Sequence, residues 1–155
     1  MKVVRLLALA VLAGFPCFTA GATEPVLKVT TEIGSHSYAL SKLDRFDQNV
    51  ISTRTTWSDV EKKFSGPLVR DVLADSDMPL DAGFVLAKAL NGYNVRIPVS
   101  EFIDTDVMLA TRVDGNRIAL EDRGPLRIIY DYSTVGPVKD SFWVWMLDEM
   151  VLVAE

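Results

Sequence analysis

The chain has 155 residues, 49% of them hydrophobic and 24% charged, with a formal net charge of −5, one histidine and one cysteine. That length allows one domain with a sizeable core. An acidic balance without a basic run argues against nucleic acid or an anionic membrane surface as partner.

The first segment reads as a secretory signal peptide over residues 1–22. Lys2 and Arg5 give a positive start, residues 3–15 are an apolar run apart from Arg5, and Ala20-Gly21-Ala22 supplies a small-residue cleavage site. Pro16 before Cys17 does not suit a lipoprotein signal. The domain proper is then residues 23–155, expected in the periplasm. Removing Lys2 and Arg5 takes the net charge from −5 to −7. Cleavage after Ala22 also removes Cys17, leaving no disulfide, thiolate nucleophile or sulfur metal ligand.

Residues 26–30 predict a first strand, and residues 32–37 a turn that holds His36. A lone histidine in a Gly/Ser loop reads as an exposed polar residue, and zinc rarely accepts a site built mainly from carboxylates. Ser41 is placed to cap a short helical turn carrying Leu43 and Phe46.

Residues 51–57 alternate as a strand. Ile51, Thr53, Thr55 and Trp57 share one face, and Ser52, Arg54 and Thr56 the other. Phe64, a Ser65-Gly66-Pro67 turn and a helix over 67–73 follow, with Pro67 at the first helical position and Leu68, Val69, Val72 and Leu73 on one face. Asp75, Asp77 and Asp81 lie in a loop without the glycine and terminal glutamate of a calcium loop, so they read as solvated.

Residues 84–90 meet Asn91-Gly92, a hairpin signal, and a second strand alternates to Pro98. A helical turn capped by Ser100, a strand over 107–113, the tight turn Asp114-Gly115-Asn116 and a short return over 118–120 come next. Residues 126–132 predict a strand, Gly136-Pro137 a break, and 141–147 an apolar strand with Trp143 and Trp145 facing the same way. A last strand spans 150–154. Short strands between Gly, Pro and Asn turns, with brief helices, predict a single β-rich α+β domain.

The order of these pieces resembles the small secreted members of the sulfite-oxidase-like, molybdopterin-binding oxidoreductase family. The matching pieces are residues 64–73, Ala89-Leu90-Asn91-Gly92-Tyr93 leading to Ile97-Pro98, and Leu109-Ala110 before Asp114-Gly115. Gly124-Pro125-Leu126-Arg127 and Ser141-Phe142-Trp143-x-Trp145-Met146-Leu147 complete the set. The resemblance implies the sulfite-oxidase fold. It also implies a strand cysteine whose thiolate ligates molybdenum, and counting back ungapped from Pro67-Leu68 puts that position on Thr53. Arg127 matches an arginine that grips the pterin and its phosphate, with Asp122 or Arg123 in the preceding position. Ser141 matches a serine of the phosphate segment, while Trp143 stands where its lysine would be.

Both the metal end and the phosphate end of the implied site are therefore altered. The candidate ligand-binding residues are Thr53, Arg54, Thr55, Trp57, Asp122, Arg127, Ser141, Phe142 and Trp143, with no catalytic or metal-ligating residue among them. They suit a flat pterin without molybdenum, held by arginine and threonine donors and stacked on tryptophan, and no tightly bound cofactor. Competing readings place Trp143 and Trp145 in the core, pair Arg127 with a strand-edge carboxylate, and make the Thr/Ser run an exposed edge strand.

Some secreted members of this family without the cysteine look like pterin-binding regulators acting with a membrane-bound signalling enzyme that makes or degrades a cyclic dinucleotide, and a periplasmic role of that kind is what the resemblance implies. The alternatives are a molybdopterin-dependent oxidoreductase and a ligand-free interaction module. A threonine hydroxyl is a poor substitute for a thiolate on a soft metal. The leader also lacks the paired arginines that export of a folded, cofactor-loaded protein would need.

Overall fold

The computed structural model describes residues 24–55, 58–81, 83–135 and 138–153. The expected signal peptide, Trp57 and the Gly136-Pro137 break lie outside the described residues. Chain order is Pro25–Thr31 (β1), Gly34–Ala39 (β2), Leu40–Leu43 (α1), Asn49–Thr55 (β3), Ser58–Gly66 (β4), Val69–Asp75 (α2), Phe84–Ala89 (β5) and Asn94–Pro98 (β6). Val99–Asp104 (α3), Met108–Ala110 (β7), Arg112–Val113 (β8), Asn116–Arg117 (β9), Arg127–Ile129 (β10), Tyr132–Val135 (α4), a 3-10 turn Asp140–Phe142 and Leu147–Val153 (β11) complete it.

A five-stranded sheet runs β2-β1-β11-β5-β6, and a four-stranded sheet β3-β4-β8-β9. Only the β1–β11 pairing is parallel among these strands. In β1 the inward residues Leu27, Val29 and Thr31 alternate with more exposed neighbours, the period of two that half-buried strands require. The short β7 belongs to a separate two-stranded sheet beside the four-stranded one. It pairs with β10, and its backbone also takes up the end of β4, with Leu109 N–H on the Pro67 carbonyl at 2.8 Å and Thr111 N–H on that of Ser65 at 3.0 Å. Tyr38, Tyr130, Phe64 and Phe102 are the largest fully buried side chains among the described residues, and Trp143, 3% exposed, joins them in the core.

Several sequence expectations shift here for one reason: backbone groups found long-range partners that local patterns do not reveal. Ser65-Gly66 continue β4 rather than turning, and α2 starts at Val69, two residues beyond Pro67, because Val69 N–H is held by the Val107 carbonyl at 2.9 Å. The expected turn over 32–37 shrinks to two residues, since Gly34 already pairs with Thr31 in the β1–β2 hairpin. Ser41 and Ser100 lie inside α1 and α3, whose N-caps are Ala39 and Pro98 without side-chain caps. The strand expected over 107–113 divides at Thr111 between two sheets, and the one over 126–132 ends at Ile129. Residues 141–147 do not form a strand: Ser141 and Phe142 belong to the 3-10 turn, and Met146 has φ 58 before β11 begins.

Three ion-paired carboxylates set the response to acid. Burial opposes ionisation of Asp44, but bonds from Arg112 and Arg117 outweigh it and hold the group below the usual carboxylate range. Lys42 and then Tyr38 do the same for Asp75, and Lys88 for Glu149. With folded values below unfolded ones, the unfolded chain binds more protons in acid. The stability these groups contribute is full above the unfolded carboxylate value of about 4 and disappears as pH falls through the folded values. Asp148 is raised by burial and by Glu149, so it works in the opposite sense. The melting temperature is expected to drop as pH falls below about 4. A profile flat from neutral pH to about pH 3 would contradict this.

Candidate functional site

The β3–β4 hairpin, the 119–127 loop and the 140–146 segment meet around three adjoining clefts. A hydroxyl-rich cleft of about 560 Å³ is lined by Ser52, Thr53, Arg54, Thr55, Tyr132 and Ser133, with Asp59, Glu61 and Asp131. An arginine cleft of about 360 Å³ includes Thr55, Lys62, Asp122, Arg123, Arg127 and Trp145. An aromatic cleft of about 260 Å³ is lined by Asn91, Tyr93, Asp140, Ser141, Trp143 and Trp145. Thr55 is common to the first two and Trp145 to the last two. Seven of the nine residues expected in one site therefore line three neighbouring clefts, the exceptions being Phe142 and Trp57, which lies outside the described residues.

Strand alternation places Thr53 inward, 4% exposed, and Arg54 outward. The Thr53 hydroxyl donates to the Arg54 carbonyl at 3.2 Å and accepts from Tyr132 N–H at 3.4 Å. It ties the edge strand β3 to the start of α4.

Arg127 is half-buried where β10 begins. Gly124 lies against the Ile118 carbonyl, where no β-carbon fits, and this lets the turn close with Gly124 N–H on the Ala119 carbonyl at 2.8 Å. The folded-under turn presents two carbonyls to Arg127: Nη2 donates to that of Asp122 and Nε to that of Arg123 at 3.4 Å. Arg123 lies 4.1 Å and Arg127 5.7 Å from the centre of the Trp145 ring. Burial, and then the Arg123 charge, pull the Arg127 guanidinium below its ordinary value, with Asp122 opposing them. Among the described residues no ion pair engages Lys62, Arg123 or Arg127. The pairing of Arg127 with a strand-edge carboxylate is thus replaced by two backbone acceptors.

In the third cleft Ser141 is exposed, and its carbonyl accepts from the Tyr93 hydroxyl at 2.8 Å. Trp143 is 3% exposed, stacked on Tyr132 with ring centres 5.4 Å apart and tilted against Tyr130 at 5.5 Å. The indole thus packs against two protein rings, and the contribution of Trp143 to the cleft is narrow. Phe142 is a core residue that lines none of the three clefts. Sequence reasoning left Tyr93, Arg123, Asp140 and Trp145 out of the site. Arg123 next to Asp122, and Tyr93 after Asn91-Gly92, were the available signals.

The residues present do not fit a molybdenum centre of the kind the resemblance implies. At the positions that the resemblance assigns to the thiolate and to the phosphate-reaching lysine, the Thr53 hydroxyl is engaged with backbone and Trp143 is packed between tyrosines. No group of three or more His, Cys, Asp or Glu able to hold a metal ion occurs among the described residues.

Comparison with curated proteins finds no significant match. Among solved structures, the chain is similar to the sulfane dehydrogenase SoxCD from Paracoccus pantotrophus, with a TM-score of 0.65 and 15% identity over 83% of this chain. It spans only 38% of that protein's chain, and at this identity the likeness concerns the fold alone. The model of the oxidoreductase molybdopterin binding domain matches residues 35–136, well over half the sequence, and the chain belongs to that family.

Proposed function

We propose that this protein is a non-enzymatic, periplasmic pterin-binding domain that keeps the family scaffold and has given up the metal. Its output is regulatory, through the periplasmic part of a membrane signalling protein. The observation that carries the reading is the contrast between the two parts of the site. Thr53 offers a backbone-engaged hydroxyl where a thiolate would sit. Arg127, Arg123 and Trp145 still form a cation-and-indole surface next to an aromatic cleft. Such a surface suits a flat heterocycle with polar edges, and ring stacking needs no metal.

Titrating the purified protein with oxidised and reduced pterins, followed by tryptophan fluorescence, tests the reading. Saturable binding is expected, and none at high micromolar concentration would overturn it. Co-purification with a membrane sensor in the absence of any pterin would favour an interaction module instead.

Thr53→Cys is expected to yield no oxidase or reductase turnover and no bound molybdenum in protein taken from its native compartment. The variant restores a thiol but not the lysine replaced by Trp143. Stoichiometric molybdenum or measurable turnover of sulfite or a sulfoxide would show that only the thiolate had been lost.

A further inference from the structure

The aromatic cleft has a composition that the family resemblance does not suggest. Tyr93 and Trp145 wall it with a narrow contribution from the buried Trp143, Asn91, Asp140 and Ser141 rim it, and among the described residues no basic side chain lines it. A cleft for a phosphate would carry cations here; this one carries a carboxylate.

The walls are held in place. The Tyr93 hydroxyl is fixed on the Ser141 carbonyl at 2.8 Å, and Trp143 is stacked on Tyr132. Trp143 Nε1 is buried without a hydrogen-bond partner among the described residues. The backbone carbonyl of Asp140 accepts from Trp143 N–H at 3.2 Å, which anchors the acidic residue next to the indole. Among the described residues, the Asp140 carboxylate itself takes part in no ion pair.

A carboxylate presents two acceptors and no donor, so its complement is an edge with two parallel N–H groups. In a 2-amino-4-oxopteridine those groups are N3–H and the 2-amino group, side by side on the pyrimidine ring. The aromatic walls suit the faces of the same molecule, and a cleft of about 260 Å³ has room for its two rings. Resting on the pterin-binding reading above, the geometry points to the aromatic cleft as the seat of the ring, with Asp140 as the residue that selects the 2-amino-4-oxo class over the 2,4-dioxo class. Arg123 and Arg127 then lie on the other cleft that Trp145 borders, where their N–H donors complement the acceptor side of the ring, O4 and N5, and not this edge.

The test is a calorimetric titration of the whole protein and of its Asp140→Asn variant with pterin and with lumazine, the 2,4-dioxo counterpart. The wild type is expected to prefer pterin by about tenfold or more, since the charged acceptor bonds both N–H groups. A carboxamide in place of the carboxylate offers one acceptor and one donor, matching N3–H and the 2-oxo group of lumazine. The substitution is therefore expected to reverse the preference. Asp140 is exposed, and the melting temperature of the variant should match that of the wild type. Equal affinity for both heterocycles, unchanged by Asp140→Asn, would overturn the assignment of Asp140 and leave the pterin-binding reading standing. Binding of neither heterocycle to the wild type would overturn both.

Discussion

Gly66→Ala is expected to destabilise the domain by about 3 kcal/mol or more, lowering the melting temperature by roughly 10 °C. A β-carbon at Gly66 would overlap the Leu109 carbonyl oxygen and stand 3.0 Å from its carbon and 3.1 Å from Ala110 Cα. All three are backbone atoms, so no side chain can move aside. The two segments are also bound together on either side of the contact, through Pro67 with Leu109 and Ser65 with Thr111. Relief requires parting β4 from β7, where the four-stranded and two-stranded sheets meet, and β4 carries Phe64 and the cleft residue Lys62. Thermal and urea melts measure the effect. A variant within about 1 kcal/mol of wild type would mean that this approach is not retained in solution.

Arg127→Ala is expected to reduce pterin affinity roughly ten- to hundredfold, the loss of one charged hydrogen bond of about 1.5–3 kcal/mol. The same substitution removes the donors that hold the Asp122 and Arg123 carbonyls, so a moderate loss of stability, about 1–2 kcal/mol, accompanies it. The loss of about 3–5 kcal/mol expected for stranding a buried carboxylate does not apply, because among the described residues Arg127 has no ion-pair partner. Arg127→Lys should restore little: an ammonium cannot span two carbonyls as a planar guanidinium does. Melts and titrations on the two variants and the wild type separate the roles. Lower stability with unchanged affinity in the folded fraction would make Arg127 a support of the 119–124 turn and remove it from ligand contact.

What the sequence determined by itself was the class of the fold and the strongest local elements. Alternation placed Ile51 and Thr53 inward and Ser52 and Arg54 outward, because side chains on a strand point to opposite faces whatever lies beyond it. Asn91-Gly92 specified the β5–β6 hairpin through local turn chemistry. The ordered set of short motifs was also sufficient to reach the family.

The site and the element ends were decided by tertiary structure. Gly66 and Pro67 look like a turn and a helix start, yet hydrogen bonds with a segment far along the chain, Val107 to Thr111, extend β4 and delay α2. Trp143 and Trp145 are two apart in an apolar run, and nothing local separates their roles. Packing against Tyr130 and Tyr132 sends one into the core, and the 3-10 turn with Met146 at positive φ leaves the other between two clefts. Arg127 found carbonyls in place of a carboxylate, because Gly124 allows its turn to close against Ile118. Local sequence sets what each short segment prefers. Which backbone groups lie within hydrogen-bond reach of a side chain depends on segments far apart in the chain, and that is settled only when the sheets come together.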